Sequence, residues 1–103
     1  MATESAISYD VLARYAADAA REVEGVAALS ESPLHRGKAV AVTGDEDTLA
    51  VGVSLELEWG RQAADVAVDV QKRVSEYLAR MANVTPASVD VVFDAVSAPP
   101  PKR

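Results

Sequence analysis

The sequence contains no cysteine and only one histidine, His35. The missing thiols exclude disulfides, thiolate zinc sites and cysteine nucleophiles. A single imidazole has no second ligand or base with which to build a metal site or a catalytic relay, so His35 is interpreted as a solvated loop residue. We expect no catalytic residue, no metal and no cofactor.

Long apolar runs are also missing, because charged residues interrupt every hydrophobic stretch. Nothing resembles the n-region and h-region of a signal peptide, which predicts a soluble, cytoplasmic protein. Aromatic residues are 5 % of the chain, whereas half of it is apolar, largely Ala and Val. A chain of 103 residues therefore forms one domain whose core consists of small, closely packed elements.

Basic residues are fewer than acidic ones, and the formal net charge is −6. Most of the affinity for nucleic acid comes from Lys and Arg that neutralise phosphates, so nucleic acid is a poor candidate partner. Direct adsorption to anionic membranes is disfavoured on the same ground. A basic protein partner or a cation remains compatible with this charge.

Two segments have the period of an amphipathic helix. The first begins near Ser8, a suitable N-cap, and ends near Gly25, which suits a left-handed helix exit. The second precedes Asn83, another residue that tolerates a left-handed exit, and Pro86, which prevents continuation. Its apolar stripe comprises Ala63, Ala67, Val70, Val74, Tyr77 and Met81.

Three segments have strand patterns, and residues 27–37 are predicted to form a surface loop because they lack a clear period. The short "KAVAVT" and the longer "TLAVGVSLELEW" flank the turn sequence "GDED", which predicts a hairpin. "SVDVVFDAV" alternates again near the end of the chain. The longest segment places on one face Leu49, Val51, Val53, Leu55, Leu57 and Trp59, and we expect these residues in the core.

The predicted order is helix, strand, strand, helix, strand. A right-handed crossover through the second helix makes the last two strands parallel and places both helices on one face of the sheet. The expected fold is an α+β two-layer sandwich with a small three-stranded mixed sheet. Residues 8–96 form the domain, residues 1–7 a flexible N-terminus and residues 97–103 a disordered Pro-rich tail.

Four short motifs occur in an order that resembles the alkaline shock protein / Gls-type envelope stress response family of Gram-positive bacteria. They are "EVEGVAAL", a hairpin ending in "ELEWG", "VAVDVQKRVSEYLARM" and "VDVVFDAV", which span roughly residues 9–96. The matching positions include Glu24, Gly25, Trp59, Gly60 and Gln71. One departure follows Met81, where the family usually has Thr-Gly and this chain has Ala82 and Asn83.

This resemblance implies a cytosolic, non-enzymatic protein that self-associates. It also implies that a separate membrane anchor protein holds some members of the family at the membrane. The expected partners are therefore a second copy of the chain and another protein, with no direct insertion of this chain into the membrane.

The outer face of the predicted sheet supplies the candidate partner-binding residues. Small side chains at Ala50, Gly52 and Ser54 permit close approach of a partner, and unpaired edge groups favour strand addition, so self-association is predicted through this face or through an edge strand. Acids with the same phase, Glu56, Glu58, Asp90 and Asp94, are predicted to form one patch that steers a basic partner. We interpret this face as solvated rather than catalytic, because no apolar pocket would keep one acid protonated.

Three classes of function remain open. The preferred hypothesis is a protein-interaction or scaffold protein near the cell envelope. The first alternative is a small cation-binding or hydrolytic domain that uses the acidic face. The second is a nucleic-acid binder of KH-like topology, which the net charge and the missing G-x-x-G loop disfavour.

Overall fold

A computed structural model describes residues 8–33, 37–45 and 47–99. Two helices and four strands follow one another in the order helix, strand, strand, strand, helix, strand. Their bounds are α1 Tyr9–Arg21, β1 Val26–Leu29, β2 Val40–Thr43, β3 Ala50–Leu57, α2 Ala63–Ala82 and β4 Ser88–Val96. The predicted α+β class and the two helices are confirmed, and the sheet has one strand more than expected.

The β3 strand is the centre of the sheet. It pairs with β4 in parallel along its whole length, as the right-handed crossover predicted. Along the opposite edge it pairs antiparallel with β2 through residues 50–53 and with β1 through residues 55–57. Consequently β1 and β2 together form one interrupted edge strand, and the sheet is mixed.

The prediction of a loop over residues 27–37 is wrong at its beginning, because Val26–Leu29 form the β1 strand. This strand has only four residues, and its register against β3 shifts between Val26 and Ala28. A bulge breaks the two-residue period from which a strand is identified in a sequence. Three residues of this predicted loop, Leu34, His35 and Arg36, lie outside the described part of the chain.

The predicted N-cap of α1 is confirmed, since the Ser8 hydroxyl accepts a hydrogen bond from the Val11 N–H at 3.2 Å. Its exit differs from the prediction. The helix ends at Arg21 and its C-cap residue, Glu22, is right-handed. Gly25, with φ of +102°, instead forms the turn that leads into β1.

The β2–β3 hairpin is confirmed, and its turn is closed by side chains. The Asp45 carboxylate accepts hydrogen bonds from the Thr48 hydroxyl at 2.8 Å and from the Thr48 N–H at 3.1 Å. These bonds hold the pKa of Asp45 below its ordinary value. The Tyr9 hydroxyl donates to the Gly44 carbonyl, which ties the start of α1 to the same turn.

The core lies between the two helices and one face of the sheet. Most of the predicted β3 face is buried, including Val51, Val53 and Leu55 with no exposed surface. Helix α2 contributes Val66, Val70, Val74 and Leu78. The predicted positions of Trp59 and Met81 are wrong, because these side chains are 55 % and 46 % exposed. The strand ends at Leu57, before Trp59, so alternation no longer determines where Trp59 points.

The helices contact each other through both apolar and charged groups. The rings of Tyr15 and Tyr77 meet edge to face, with centroids 5.9 Å apart, and Arg73 pairs with Glu22 at 2.9 Å. The left-handed end of α2 at Asn83 is confirmed, with φ of +57°. Neither described helix is long and apolar enough to span a membrane.

Candidate interaction surface

The small residues of β3 lie on the sheet face opposite the core, and each faces a neighbour on both sides. Ala50 pairs with Thr43 and Ser88, and Gly52 pairs with Ala41 and Asp90. Ala50 and Gly52 are half-buried, whereas Ser54 has no exposed surface. In this conformation, therefore, a partner could reach Ala50 and Gly52 but not Ser54.

The four acids do not form the single row that alternation predicts. Asp90 is exposed beside Gly52, and Glu56 is half-buried opposite Ala95. The register shift in β4 leaves Asp94 as the extra residue between the partners of Leu55 and Glu56. A bulge of this kind re-aims the side chains that follow it, which period-two reasoning from the sequence could not anticipate.

The fourth acid, Glu58, lies beyond the end of β3 and is paired with a cation. Arg61 donates to the Glu58 carboxylate at 2.8 Å and approaches the Glu24 carboxylate at 3.4 Å. The hydrogen bond to Glu58, followed by the contact with Glu24, raises the pKa of Arg61 above its ordinary value. Glu58 therefore closes a turn at the end of the sheet, and of the four acids only Glu56 and Asp90 have a partner in the strand register.

This geometry offers little to acid–base or metal chemistry. Glu56 and Asp90 lie on different strands, and neither faces the other in the register. Within the described part of the chain, no group of three His, Asp or Glu side chains lies close enough to hold a metal ion. His35 and Arg36 lie outside that part.

An exposed apolar pair at one end of the sheet was missed by sequence reasoning. Trp59 and Val96 are 55 % and 58 % exposed, and we call them the Trp59 patch. The backbone N–H of Trp59 donates to the Ser97 hydroxyl at 3.0 Å, and the backbone N–H of Ser97 donates to the Leu57 carbonyl at 2.8 Å. These two bonds hold the ends of β3 and β4 together, so the patch is anchored. Its only sequence signal was Gly60, a turn residue directly after Trp59.

Two solved structures have the same fold. A manganese form of a MamM CTD variant has a TM-score of 0.54 and 14 % identity, covering 85 % of this chain and 99 % of that chain. A zinc form of a second MamM CTD variant has a TM-score of 0.53 and 12 % identity, covering 84 % of each chain. At such low identity the similarity concerns the fold alone.

No curated protein sequence matches the chain. A family model does match, over residues 2–98, and it contains every element described above. Its description is a family with cell envelope-related function, in agreement with the resemblance that the four motifs indicated. The chain belongs to the alkaline shock protein 23 family.

Proposed function

We propose that this protein is a non-enzymatic interaction protein that self-associates and binds a second protein close to the cell envelope. The observation that carries the proposal is the Trp59 patch, because two large apolar side chains are more than half exposed at an anchored end of the sheet. Membership of a family with cell envelope-related function supports the location.

The chemistry of the patch favours a protein partner. Trp is enriched among the few side chains that dominate a protein interface, since it buries a large area and keeps an indole N–H donor. Val96 lies next to Leu57 in the register, so the exposed surface continues from the edge of the core. A partner that covers Trp59 and Val96 removes apolar surface from water without any rearrangement of the backbone.

The acids on the outer face have a supporting role in the proposal. Asp90 and Glu56 would accelerate the approach of a basic partner, and Ala50 and Gly52 would allow its backbone to come close. A membrane anchor protein is one candidate for that partner, and it would bring a cytoplasmic chain to the membrane without insertion. No arrangement of the described side chains favours the cation-binding, hydrolytic or nucleic-acid alternatives.

The test is sedimentation of the purified chain over a wide concentration range, with Trp59→Ala and Met81→Ala as matched variants. Both replace a large apolar side chain that is about half exposed. We expect Trp59→Ala to raise the dissociation constant for self-association at least about tenfold, and Met81→Ala to leave it unchanged.

A chain that stays monomeric at every accessible concentration would contradict self-association. Equal effects of the two substitutions would contradict the assignment to the Trp59 patch. Partner binding is tested separately, by whether immobilised wild-type protein captures an envelope protein that Trp59→Ala protein fails to capture.

A further inference from the structure

The outer edge of β4 is the longest sheet edge in the described part of the chain. β4 has nine residues, and among the described strands it pairs only with β3. An unpaired edge of this length is a template for a strand from another molecule. Because the chain is proposed to self-associate, what happens at this edge decides whether assembly is specific.

Backbone hydrogen bonds show which groups of β4 face outward. The Ser54 N–H donates to Ala39 and the Ser54 carbonyl accepts from Ser30, so even-numbered residues of β3 face β1 and β2. The Leu57 carbonyl accepts from the Ser97 N–H at 2.8 Å, so odd-numbered residues of β3 face β4. The Leu49 carbonyl, just before β3, accepts from the N–H groups of Ala87 at 2.7 Å and Ser88 at 3.4 Å on the same side. Because successive backbone groups point to opposite edges of a strand, the backbone N–H and carbonyl groups that face away from β3 before the bulge are those of Val89, Val91 and Phe93, whose side chains pack toward the core.

One of these outward carbonyls already has a partner. The side-chain amide of Gln71, in the middle of α2, donates to the Val89 carbonyl at 2.9 Å. Gln71 lies 18 residues before Val89, so this is a tertiary contact that reaches from the helix to the strand edge. It occupies the acceptor that an added strand would need at this position.

Two further features of β4 oppose strand addition. The register shift at Asp94 interrupts the regular edge, and Asp90 places an exposed negative charge within it. Bulges and charged side chains are devices by which proteins protect an exposed edge. Gln71, Asp90 and the bulge thus act on the beginning, middle and end of the same strand.

We propose that the Gln71 side chain prevents the β4 edge from pairing with a second copy of the chain, because it occupies the Val89 carbonyl. The proposal rests on the proposed self-association and refines it, because it directs assembly away from this edge. A second copy is the relevant competitor, since every assembled molecule brings another β4 edge into reach at high local concentration.

Asp90 and Asp94 determine how two β4 edges would pair if Gln71 did not occupy the Val89 carbonyl. Antiparallel self-pairing centred on residue 90 or 92 places Asp90 directly opposite Asp90 or Asp94 of the second copy, and like charges in such positions are destabilising. Antiparallel pairing centred on Val91 avoids both contacts and uses the edge-facing backbone groups of Val89, Val91 and Phe93. This register needs the Val89 carbonyl, which Gln71 holds.

The experiment compares Gln71→Met with Gln62→Met. Methionine keeps the length of glutamine and removes its donor, and Gln62 makes no side-chain capping bond at the start of α2. We expect Gln71→Met to lower the dissociation constant for self-association at least about fivefold in sedimentation, the factor that corresponds to about 1 kcal/mol. Gln62→Met should behave like the wild type.

Single cysteines locate the new contact, because the chain has no other thiol. In the Val91-centred register the two copies of residue 91 are directly opposite, about 5.5 Å apart between Cα atoms, which a disulfide can bridge. The two copies of residue 92 are diagonal, beyond the limit of about 7 Å. We expect Val91→Cys to form a disulfide dimer in the Gln71→Met protein and not in the Gln71 protein, with Val92→Cys forming none in either.

A Val91→Cys dimer of equal yield with Gln71 present would overturn the proposal, because the edge would then be open already. Association of Gln71→Met no stronger than that of Gln62→Met would also overturn it, as would stronger association without the Val91→Cys disulfide. The proposed function fails by a different result, namely a wild-type chain that never associates while Gln71→Met still dimerises.

Discussion

Val53 and Val68 are the same amino acid in opposite surroundings, and they show what determines stability at the scale of the residue. Val53 has no exposed surface in the centre of β3, whereas Val68 is 51 % exposed on α2. Val53→Ala removes buried methyl groups and leaves a cavity, so we expect a loss of about 1 to 3 kcal/mol in the free energy of unfolding. The midpoint of urea unfolding measures this loss.

Val68→Ala is the control for that prediction, since an exposed substitution of this kind changes stability by at most about 0.5 kcal/mol. Equal midpoints for Val53→Ala and the wild type would mean that the phase of β3 is assigned wrongly. The sequence predicted Val53 correctly because it lies inside an unbroken alternation. It wrongly placed Trp59 in the core, because Trp59 continues the alternation but lies past the strand end.

At the scale of the element, β1 depends on Gly25 for two separate reasons. Its φ of +102° disfavours any residue with a Cβ, and a Cβ at this position would lie 2.6 Å from Cγ2 of Val66 in α2. The Gly25 carbonyl also accepts from the Glu58 N–H at 2.8 Å, where β1 meets the end of β3. Gly25 thus fixes the entry to β1 and its distance from α2 together.

Comparison of Gly25→Ala with Gly60→Ala separates the cost of backbone strain from the cost of the contact between a Cβ and Val66. Gly60 has a similar φ of +88°, but a Cβ there would meet nothing within 4 Å. We expect Gly60→Ala to lose about 1 to 2 kcal/mol through backbone strain alone. Gly25→Ala should lose a further 1 to 3 kcal/mol, roughly the usual cost of overpacking a core. Similar losses in chemical unfolding would show that Val66 moves aside without cost.

At the scale of the whole molecule, net charge opposes self-association. Each copy has a formal charge of −6, so two copies repel each other at long range. Salt shortens the Debye length from about 30 Å at 0.01 M to about 8 Å at 0.15 M. We expect the dissociation constant for self-association to fall as salt increases over this range, because the Trp59 patch is apolar and loses little to screening.

Sedimentation at several salt concentrations checks this expectation, with a neutral osmolyte of matched density as the control. Weaker association at higher salt would contradict it, because that trend requires ion pairs between the copies. Such a result would indicate that the copies contact each other through a charged surface that includes Asp90 or Glu56, and not through the Trp59 patch.

The sequence by itself determined the elements whose patterns are local and long. The 3.6-residue and two-residue periods gave α1, α2, the hairpin and β4, and the crossover rule gave the parallel pairing of β3 with β4. The order of the four motifs was enough to indicate the family, which the family model confirms.

Only the tertiary structure decided the features that depend on contacts between distant segments. β1 is a strand because β3 offers an unpaired edge next to β2, although its own four bulged residues have no clear period. Trp59 is exposed because the chain turns after Leu57, and Glu58 pairs with Arg61 in that turn. A hydrophobic period describes a single segment. The positions of β1, Trp59 and Glu58 depend instead on which strand edges and turns the other segments leave unoccupied.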